Sequence, residues 1–229
     1  MLAITFLTLV LASCAHAAPG SHHTSCDISK AKIAYPKGQA PLPAPTAKPS
    51  YVAVAIGTQN YTCSSAGTYT IVGAVAELFD IGCLYNAPLF SNIADAAYQI
   101  WDAAPPILTA QTIISFLHAT TTPAVLGQHY YVPNASGTGS SPKWDFTSQG
   151  TTNGNPDAYV VAAKSAGFVA PTGTKDVDWV LLKSVAGSLA TEIYRVDTRG
   201  GQPPATCTPG TADIAVKYAA KYWLMGSSL

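Results

Sequence analysis

Four residues carry the side chains best suited to chemistry in this sequence: Glu77, His129, Asp178 and Arg195. A hydrolase that acts on polysaccharide needs two carboxyl groups facing one cleft, about 5 to 9.5 Å apart. Glu77 stands between the apolar residues Ala76 and Leu78. Its carboxyl group therefore needs a hydrogen-bonding or ionic partner, or has a pKa that is shifted for a function. His129 could serve as a base or as a ligand. Together these residues indicate a candidate catalytic cleft.

Each of these residues also has a purely structural interpretation, which we favour. Glu77 is expected to form a salt bridge, and Arg195 is a candidate partner because the chain has only two arginines. His129 is expected to be a half-buried strand residue with one hydrogen bond. Asp178 either caps a loop at a strand end or lies over the ring of Trp179 as an acid on an aromatic platform.

Several site classes lack their motifs in this sequence. Gly-x-Ser-x-Gly, His-Glu-x-x-His and Cys-x-x-Cys are all missing, which argues against a serine nucleophile elbow, a zinc protease helix and a cysteine zinc site. We therefore expect no metal and no cofactor. The 12 basic and 12 acidic side chains balance, and only 10% of residues are charged. This composition argues against a nucleic-acid partner, which requires a basic face.

Aromatic residues are the second type of candidate. The chain has 12 tyrosines and 4 tryptophans, and flat rings that are exposed on a sheet or loop could stack on sugar rings. We expect most of them to fill the core. Trp144, between Lys143 and Asp145 in a polar stretch, is the candidate for an exposed binding residue.

The amino-terminal segment predicts export. An apolar run over residues 2–12 precedes Ala15-His16-Ala17, so residues 1–17 are predicted to be a signal peptide. The run is shorter than the ~20 residues of a spanning helix. We expect a secreted monomer, extracellular or in the cell wall, with no membrane contact. The sequons at Asn60 and Asn134 predict N-glycosylation.

Four cysteines remain after the predicted cleavage: Cys26, Cys63, Cys83 and Cys207. An even number in an exported chain predicts two disulfides. The count alone leaves three connectivities open.

Apolar alternation predicts a mainly β fold, a sandwich or jelly-roll-like structure. Residues 18–50 form a proline-rich arm, and residues 51–229 form a single β-rich domain. Helical spacing around residues 91–119 predicts a short helical stretch. Turn residues predict loops at 134–142, 148–156 and 199–210. The strands are predicted at 51–56, 68–80, 129–132, 158–163, 177–183, 191–197 and 214–224.

The chain resembles a family of secreted fungal proteins, with shorter bacterial relatives, that is grouped as a domain of unknown function. The matching strings run in order over most of residues 42–225. They are Gly57-Thr58-Gln59-Asn60-Tyr61-Thr62-Cys63, Ala76-Glu77-Leu78-Phe79-Asp80, Gly127-Gln128-His129-Tyr130-Tyr131, Pro142-Lys143-Trp144-Asp145-Phe146, Asp178-Trp179-Val180-Leu181-Leu182-Lys183, Arg195 to Cys207, and Tyr218-Ala219-Ala220-Lys221-Tyr222-Trp223.

The resemblance carries three implications. The bacterial relatives lack the helical stretch, which implies that it is a short helical insertion around residues 91–119. The shorter relatives keep cysteines that match Cys63 and Cys207, which implies that these two pair and that Cys26 pairs with Cys83. A Cys63–Cys83 bridge is the alternative, because both residues flank one predicted strand. Many fungal members are named malate dehydrogenase, but this chain has no Gly-x-Gly-x-x-Gly after a strand, so we do not expect that activity.

Two functions remain. We expect a non-catalytic protein that binds a glycan, the cell wall or a host surface. The alternative is a secreted hydrolase that acts on cell-wall polysaccharide through Glu77, His129, Asp178 or Arg195. Convergence of Glu77, His129 and Arg195 in one cleft would favour the hydrolase.

Overall fold

The computed structural model describes residues 26–119, 122, 124–134 and 136–229. The predicted signal peptide, residues 1–17, lies outside these ranges, as does the start of the predicted arm. Eight strands, two α-helices and two short 3-10 turns make up the fold. The helices are α1 (Leu89–Asp102) and α2 (Ala110–Ala119), and the turns are Gly82–Leu84 and Gly150–Thr152. The strands are β1 (Pro49–Cys63), β2 (Tyr69–Asp80), β3 (Val125–Pro133), β4 (Ser140–Asp145), β5 (Tyr159–Phe168), β6 (Trp179–Ala186), β7 (Glu192–Gly200) and β8 (Ile214–Met225).

The strands form a closed antiparallel barrel in which each strand pairs with the next and β8 pairs with β1. The mainly β class is therefore confirmed, but the fold is a barrel rather than a sandwich or jelly roll. β1 is 15 residues long, and it pairs with β2 on one side and with β8 on the other. This double pairing leaves the sheet without a free edge. Apolar alternation is the same for a barrel and a sandwich, so the sequence pattern did not distinguish them.

Both faces of the barrel wall carry apolar layers. The inner layer includes Ala55, Leu78 and Tyr222. The outer layer includes Val54, Phe79 and other side chains that pack under the helices and under the segment that precedes β1. Two covered faces explain why β2 is apolar on both sides. Eight strands enclose an interior just wide enough for side chains or for one small ligand.

The helical pair covers the outer face of the barrel. In α1, Trp101 is buried and its Nε1 donates to the carbonyl oxygen of Gly57 at 2.7 Å. The Nζ of Lys217 on β8 donates to the carbonyl oxygens of Trp101, Asp102 and Ala104 at 2.9, 3.2 and 2.6 Å. A lysine at this position satisfies carbonyl groups that the end of the helix leaves without partners.

Several predicted strand boundaries need correction. Residues 140–142 were predicted to be a loop and Trp144 to lie in a polar stretch, but both belong to β4. Short polar strands with a proline have no clear alternation, and only pairing with β3 and β5 reveals β4. Within β2, a register shift next to Gly73 interrupts the strand alternation between Ile71 and the residues that follow. Both Ile71 and Val72 are largely exposed.

Two disulfides link segments that are distant in the sequence: Cys26–Cys83 and Cys63–Cys207. They are the pairs that the family resemblance implied. The first holds the segment before β1 against the turn that follows β2. The second joins the end of β1 to the loop between β7 and β8. Among the described residues, no helix has both the length and the apolar character needed to cross a membrane.

Candidate ligand-binding site

A cavity of about 600 Å³ occupies one end of the barrel. Its mouth lies near the β1–β2 and β3–β4 hairpins, whereas buried apolar side chains such as Leu126, Phe146 and Leu189 belong to the core at the other end. This volume is within the range of about 300 to 1,000 Å³ that is typical of small-molecule sites. The lining residues are Gln59, Tyr61, Tyr69, Ile71, His129, Tyr131, Ser140, Ser141, Pro142, Trp144, Ala162, Ala163, Lys164, Val177, Asp178, Val180, Leu182, Arg195, Gln202, Pro203 and Tyr222.

Strand register brings the site residues to the inner face. His129 on β3 lies opposite Trp144 on β4, and Arg195 on β7 lies opposite Tyr222 on β8. Residues that face each other across neighbouring strands point to the same side of a sheet. The same rule places Glu77 on the outside, because its neighbour Ala76 is the residue that pairs with His129.

His129 is buried at the centre of an aromatic cluster. Its ring stacks on that of Trp144, with centroids 4.4 Å apart and planes 14° apart, and it lies 5.7 Å from the ring of Tyr222. Its Nδ1 is 2.9 Å from the carbonyl oxygen of Lys143. A carbonyl can only accept, so Nδ1 carries the proton and Nε2 is left as an acceptor. Burial lowers the pKa of His129 to about 4, although the bond to Lys143 acts in the opposite direction.

Arg195 supplies the positive charge of the cavity. Its Nε donates to the carbonyl oxygen of Asp178 at 3.1 Å. Among the described residues, no carboxylate forms an ion pair with Arg195. Burial acts to lower the pKa of Arg195, but Tyr222, Tyr218 and Tyr131 outweigh it and the pKa is raised. The guanidinium group is therefore charged at every pH that the protein meets.

Tyrosine hydroxyl groups surround this charge. The hydroxyl oxygens of Tyr218 and Tyr222 are 3.3 Å apart, and the hydroxyl of Tyr61 donates to the carbonyl oxygen of Gly201 at 2.7 Å. Burial raises the pKa of Tyr61 to about 12, and it also raises the pKa of Tyr131 and of Tyr218. These phenols stay protonated and neutral near neutral pH, so each can donate a hydrogen bond.

Two residues of the lining have buried donor atoms without hydrogen-bond partners in the described chain. Gln59 and Trp144 are each only 1% exposed. Within the described part of the chain, neither Gln59 Nε2 nor Trp144 Nε1 has a partner. Buried donors without partners cost free energy, and they are uncommon unless a bound molecule satisfies them. The prediction that Trp144 is an exposed aromatic is wrong, because its side chain points into the barrel.

Asp178 lies at the rim of the cavity. Its Oδ2 is 3.5 Å from Nζ of Lys164, and both side chains are partly exposed. Asp178 is the one carboxylate among the residues that line the cavity. The pair of facing carboxyl groups that a glycosidase needs is therefore not formed from the lining residues.

Glu77 belongs to a different environment, under α2. Its Oε1 lies 3.0 Å from Nε2 of His118, and its side chain is almost fully buried. Burial raises the pKa of Glu77 to about 8 and lowers the pKa of His118. The salt bridge proposed between Glu77 and Arg195 is not formed, since the two side chains lie on opposite faces of the barrel wall. His129, Asp178 and Arg195 converge in the cavity, but Glu77 does not.

The predicted glycosylation sites differ in their setting. Asn134 lies in the β3–β4 hairpin, where its Nδ2 donates to the carbonyl oxygen of Thr138 at 2.8 Å. Asn60 is in β1, and its Oδ1 accepts from the hydroxyl of Thr58 at 3.0 Å. Both side chains are partly buried. N-glycosylation at these positions stays a prediction.

Gln59, Tyr61 and Tyr218 are cavity-region residues that sequence reasoning did not select. The alternation of Tyr218, Ala220 and Tyr222 placed the two tyrosines on one face, which was the available signal. Nothing in the sequence showed that this face would border a cavity. No group of three or more metal-binding side chains occurs within the described ranges.

A family model described as a protein of unknown function (DUF3455) matches residues 43–226. The chain belongs to this family. The match covers all eight strands of the barrel, both helices and the cavity, so the site is part of the DUF3455 domain. Neither the curated proteins nor the solved structures include a match to this chain.

Proposed function

We propose that this protein is a secreted, non-catalytic binding protein that holds one small organic molecule in its barrel. The observation that carries the proposal is the cavity of about 600 Å³, which is lined by apolar, aromatic and a few polar side chains. This composition is typical of small-molecule sites. The two disulfides support an oxidising, extracellular setting.

The surface glycan-binding interpretation has lost its main candidate, because Trp144 is buried. The four tryptophans are all fully buried side chains. The hydrolase interpretation has less support as well, because Asp178 is the one acidic lining residue and it is paired with Lys164. Both observations favour an enclosed small ligand.

A neutral fluorescent probe tests the proposal. N-phenyl-1-naphthylamine, an apolar aromatic amine with a naphthyl and a phenyl group, is expected to bind the folded, disulfide-bonded protein with saturation and increased fluorescence. Ala162 is fully buried and lines the cavity, so Ala162→Phe should fill it and abolish binding. Ala186 is exposed at the end of β6, so Ala186→Phe is the matched control and should bind like the wild type.

Two results would contradict the proposed binding site inside the barrel. Failure of the wild-type protein to bind the probe, or equal binding by Ala162→Phe with a native melting curve, would contradict an interior site. A pulldown on insoluble chitin, β-glucan and cellulose complements this test. Retention of both variants on one of these glycans would instead support a binding surface outside the barrel.

A further inference from the structure

The charge inside the barrel is unbalanced. Arg195 and Lys164 are the basic residues of the lining and Asp178 is its acidic residue. Asp178 is 3.5 Å from Lys164, so Arg195 is the cation whose charge is left without a carboxylate. The other arginine shows the usual arrangement: Nη2 of Arg199 lies 2.7 Å from Oδ2 of Asp95, in a forked pair on the outside of the barrel.

Arg195, Gln59 and Trp144 present hydrogen-bond donors, whereas Nε2 of His129 is an acceptor. Gln59 Nε2 and Trp144 Nε1 are buried donors without partners in the described chain. Arg195 offers only donors: its Nε donates to the carbonyl oxygen of Asp178, and its side chain also forms a hydrogen bond with Tyr222. A ligand group that binds the remaining donors of Arg195 must bring hydrogen-bond acceptors. An anionic group brings several of them and also neutralises the guanidinium charge.

The walls of the cavity suit a flat, apolar body. The stacked rings of His129 and Trp144 form one wall, and the ring of Tyr222 lies 5.4 Å from that of Trp144. Val180 and Leu182 contribute aliphatic surface to the lining. Planar ligands gain favourable stacking energy on such aromatic faces.

We infer that the natural ligand is a small organic anion that has a flat, largely apolar body and one acidic group held by Arg195. This inference rests on the proposed function, because it specifies which ligand the barrel takes. The acidic group faces Arg195, while the ring system lies against the aromatic wall.

Two probes with one carbon skeleton separate charge from shape. 8-Anilinonaphthalene-1-sulfonate is N-phenyl-1-naphthylamine with an added sulfonate group, and it is anionic at every accessible pH. Charge-assisted hydrogen bonds contribute about 1.5 to 3 kcal/mol, so the sulfonate probe should bind wild-type protein about tenfold or more tightly than the neutral probe. Equal affinities, or a preference for the neutral probe, would overturn the inference.

Substitution at Arg195 tests which side chain supplies the charge. Arg195→Met should weaken sulfonate binding about tenfold or more and leave the neutral probe nearly unchanged, and Arg195→Lys should keep part of the preference. Lys175 is exposed, so Lys175→Gln removes one positive charge elsewhere and should keep the preference intact. A purely structural role for Arg195 would weaken both probes equally, and an unchanged ratio in Arg195→Met would refute the assignment.

The outcomes distinguish the two proposals. If neither probe binds the wild-type protein, the proposed function fails together with the inference. If both bind equally, the barrel is a ligand site but the anion assignment is wrong. If Arg195→Met does not fold, the ratio of the two probes on the wild-type protein still decides.

Discussion

Glu77 is a buried carboxyl group on the outer face of the barrel, next to His118 of α2. Its Oε2 has no hydrogen-bond partner among the described residues, and Gln128 is its neighbour across the β2–β3 pair. Because water is excluded, the protonated form is favoured, and the pKa rises from 4.5 to about 8. This residue therefore acts on the stability of the protein rather than on a ligand.

Glu77→Gln should change the pH dependence of stability. A carboxyl group whose pKa is raised by folding stabilises the fold fully below pH 4.5, and this stabilisation is lost as the pH rises to about 8. Relative to the variant, the wild type should lose at most about 1.4 kcal/mol of unfolding free energy per pH unit in this window. The contribution of His118 has the opposite sign, since its lowered pKa costs stability as the pH falls. Urea unfolding of both proteins between pH 4.5 and 8 provides the measurement, and parallel pH profiles would show that Glu77 is ionised in the fold.

The candidate residues could be selected from the sequence, but their grouping could not. His129, Asp178 and Arg195 were chosen for their side-chain types, and all three line the cavity. Glu77 was chosen on the same grounds and lies on the other face. Which face a residue occupies depends on strand register and on bulges such as the one near Gly73. A one-residue shift reverses the face, and no local pattern fixes it.

Close approach of strand backbones constrains the wall of the barrel. At Gly57 on β1, an added Cβ would collide with the carbonyl oxygen of Val75 and lie 2.5 Å from Cα of Ala76. The carbonyl oxygen of Gly57 itself accepts a hydrogen bond from the indole N–H of Trp101. β1 therefore contacts β2 and α1 at one point, and only glycine leaves enough space there.

Gly57→Ala should destabilise the protein by about 1 to 3 kcal/mol or more, because neither backbone can move without breaking strand pairing. Gly73 on β2 is the matched control, since an added Cβ there would meet nothing closer than 3.9 Å. Gly73→Ala should leave stability unchanged or raise it by about 0.5 to 1 kcal/mol. Thermal melts of the two variants make the comparison, and similar melting temperatures would contradict this account of the β1–β2 contact.

The arrangement of strands into a barrel is a property of the whole molecule. The sequence predicted most of the strands and the helical stretch, because alternation and helical spacing are local. It did not predict closure, which requires β1 and β8 to pair although about 150 residues separate them in the chain. Nor did it predict the cavity, because an inward-facing tyrosine such as Tyr222 gives the same alternation whether it fills a core or borders a void.

Loss of the Cys63–Cys207 bridge should harm folding more than loss of Cys26–Cys83. The bonded residues are 144 and 57 positions apart, so the chain-entropy model gives similar contributions of about 5 and 4 kcal/mol. The difference lies in what each bridge holds: the first fixes the loop that carries Gln202 and Pro203 at the cavity mouth, and the second fixes the segment before β1. Cys63→Ala/Cys207→Ala should abolish secretion or cooperative melting, whereas Cys26→Ala/Cys83→Ala should leave a folded barrel. Secreted yield and circular dichroism melts report the outcome, and a milder effect of the first variant would reverse the ranking.

The two apolar layers share eight strands, yet only the inner one borders the cavity. Trp101, Trp179 and Trp223 pack in the outer layer, so much of the buried surface that stabilises the fold lies away from the ligand. Substitutions at inner positions such as Ala162 and Val180 can reshape the cavity while the outer packing persists, and their effects should add to those of outer substitutions. Because ligand contacts and most of the stabilising packing lie in different layers, the barrel is an evolvable scaffold. Selection can change the ligand that the cavity binds without changing the outer packing that stabilises the fold.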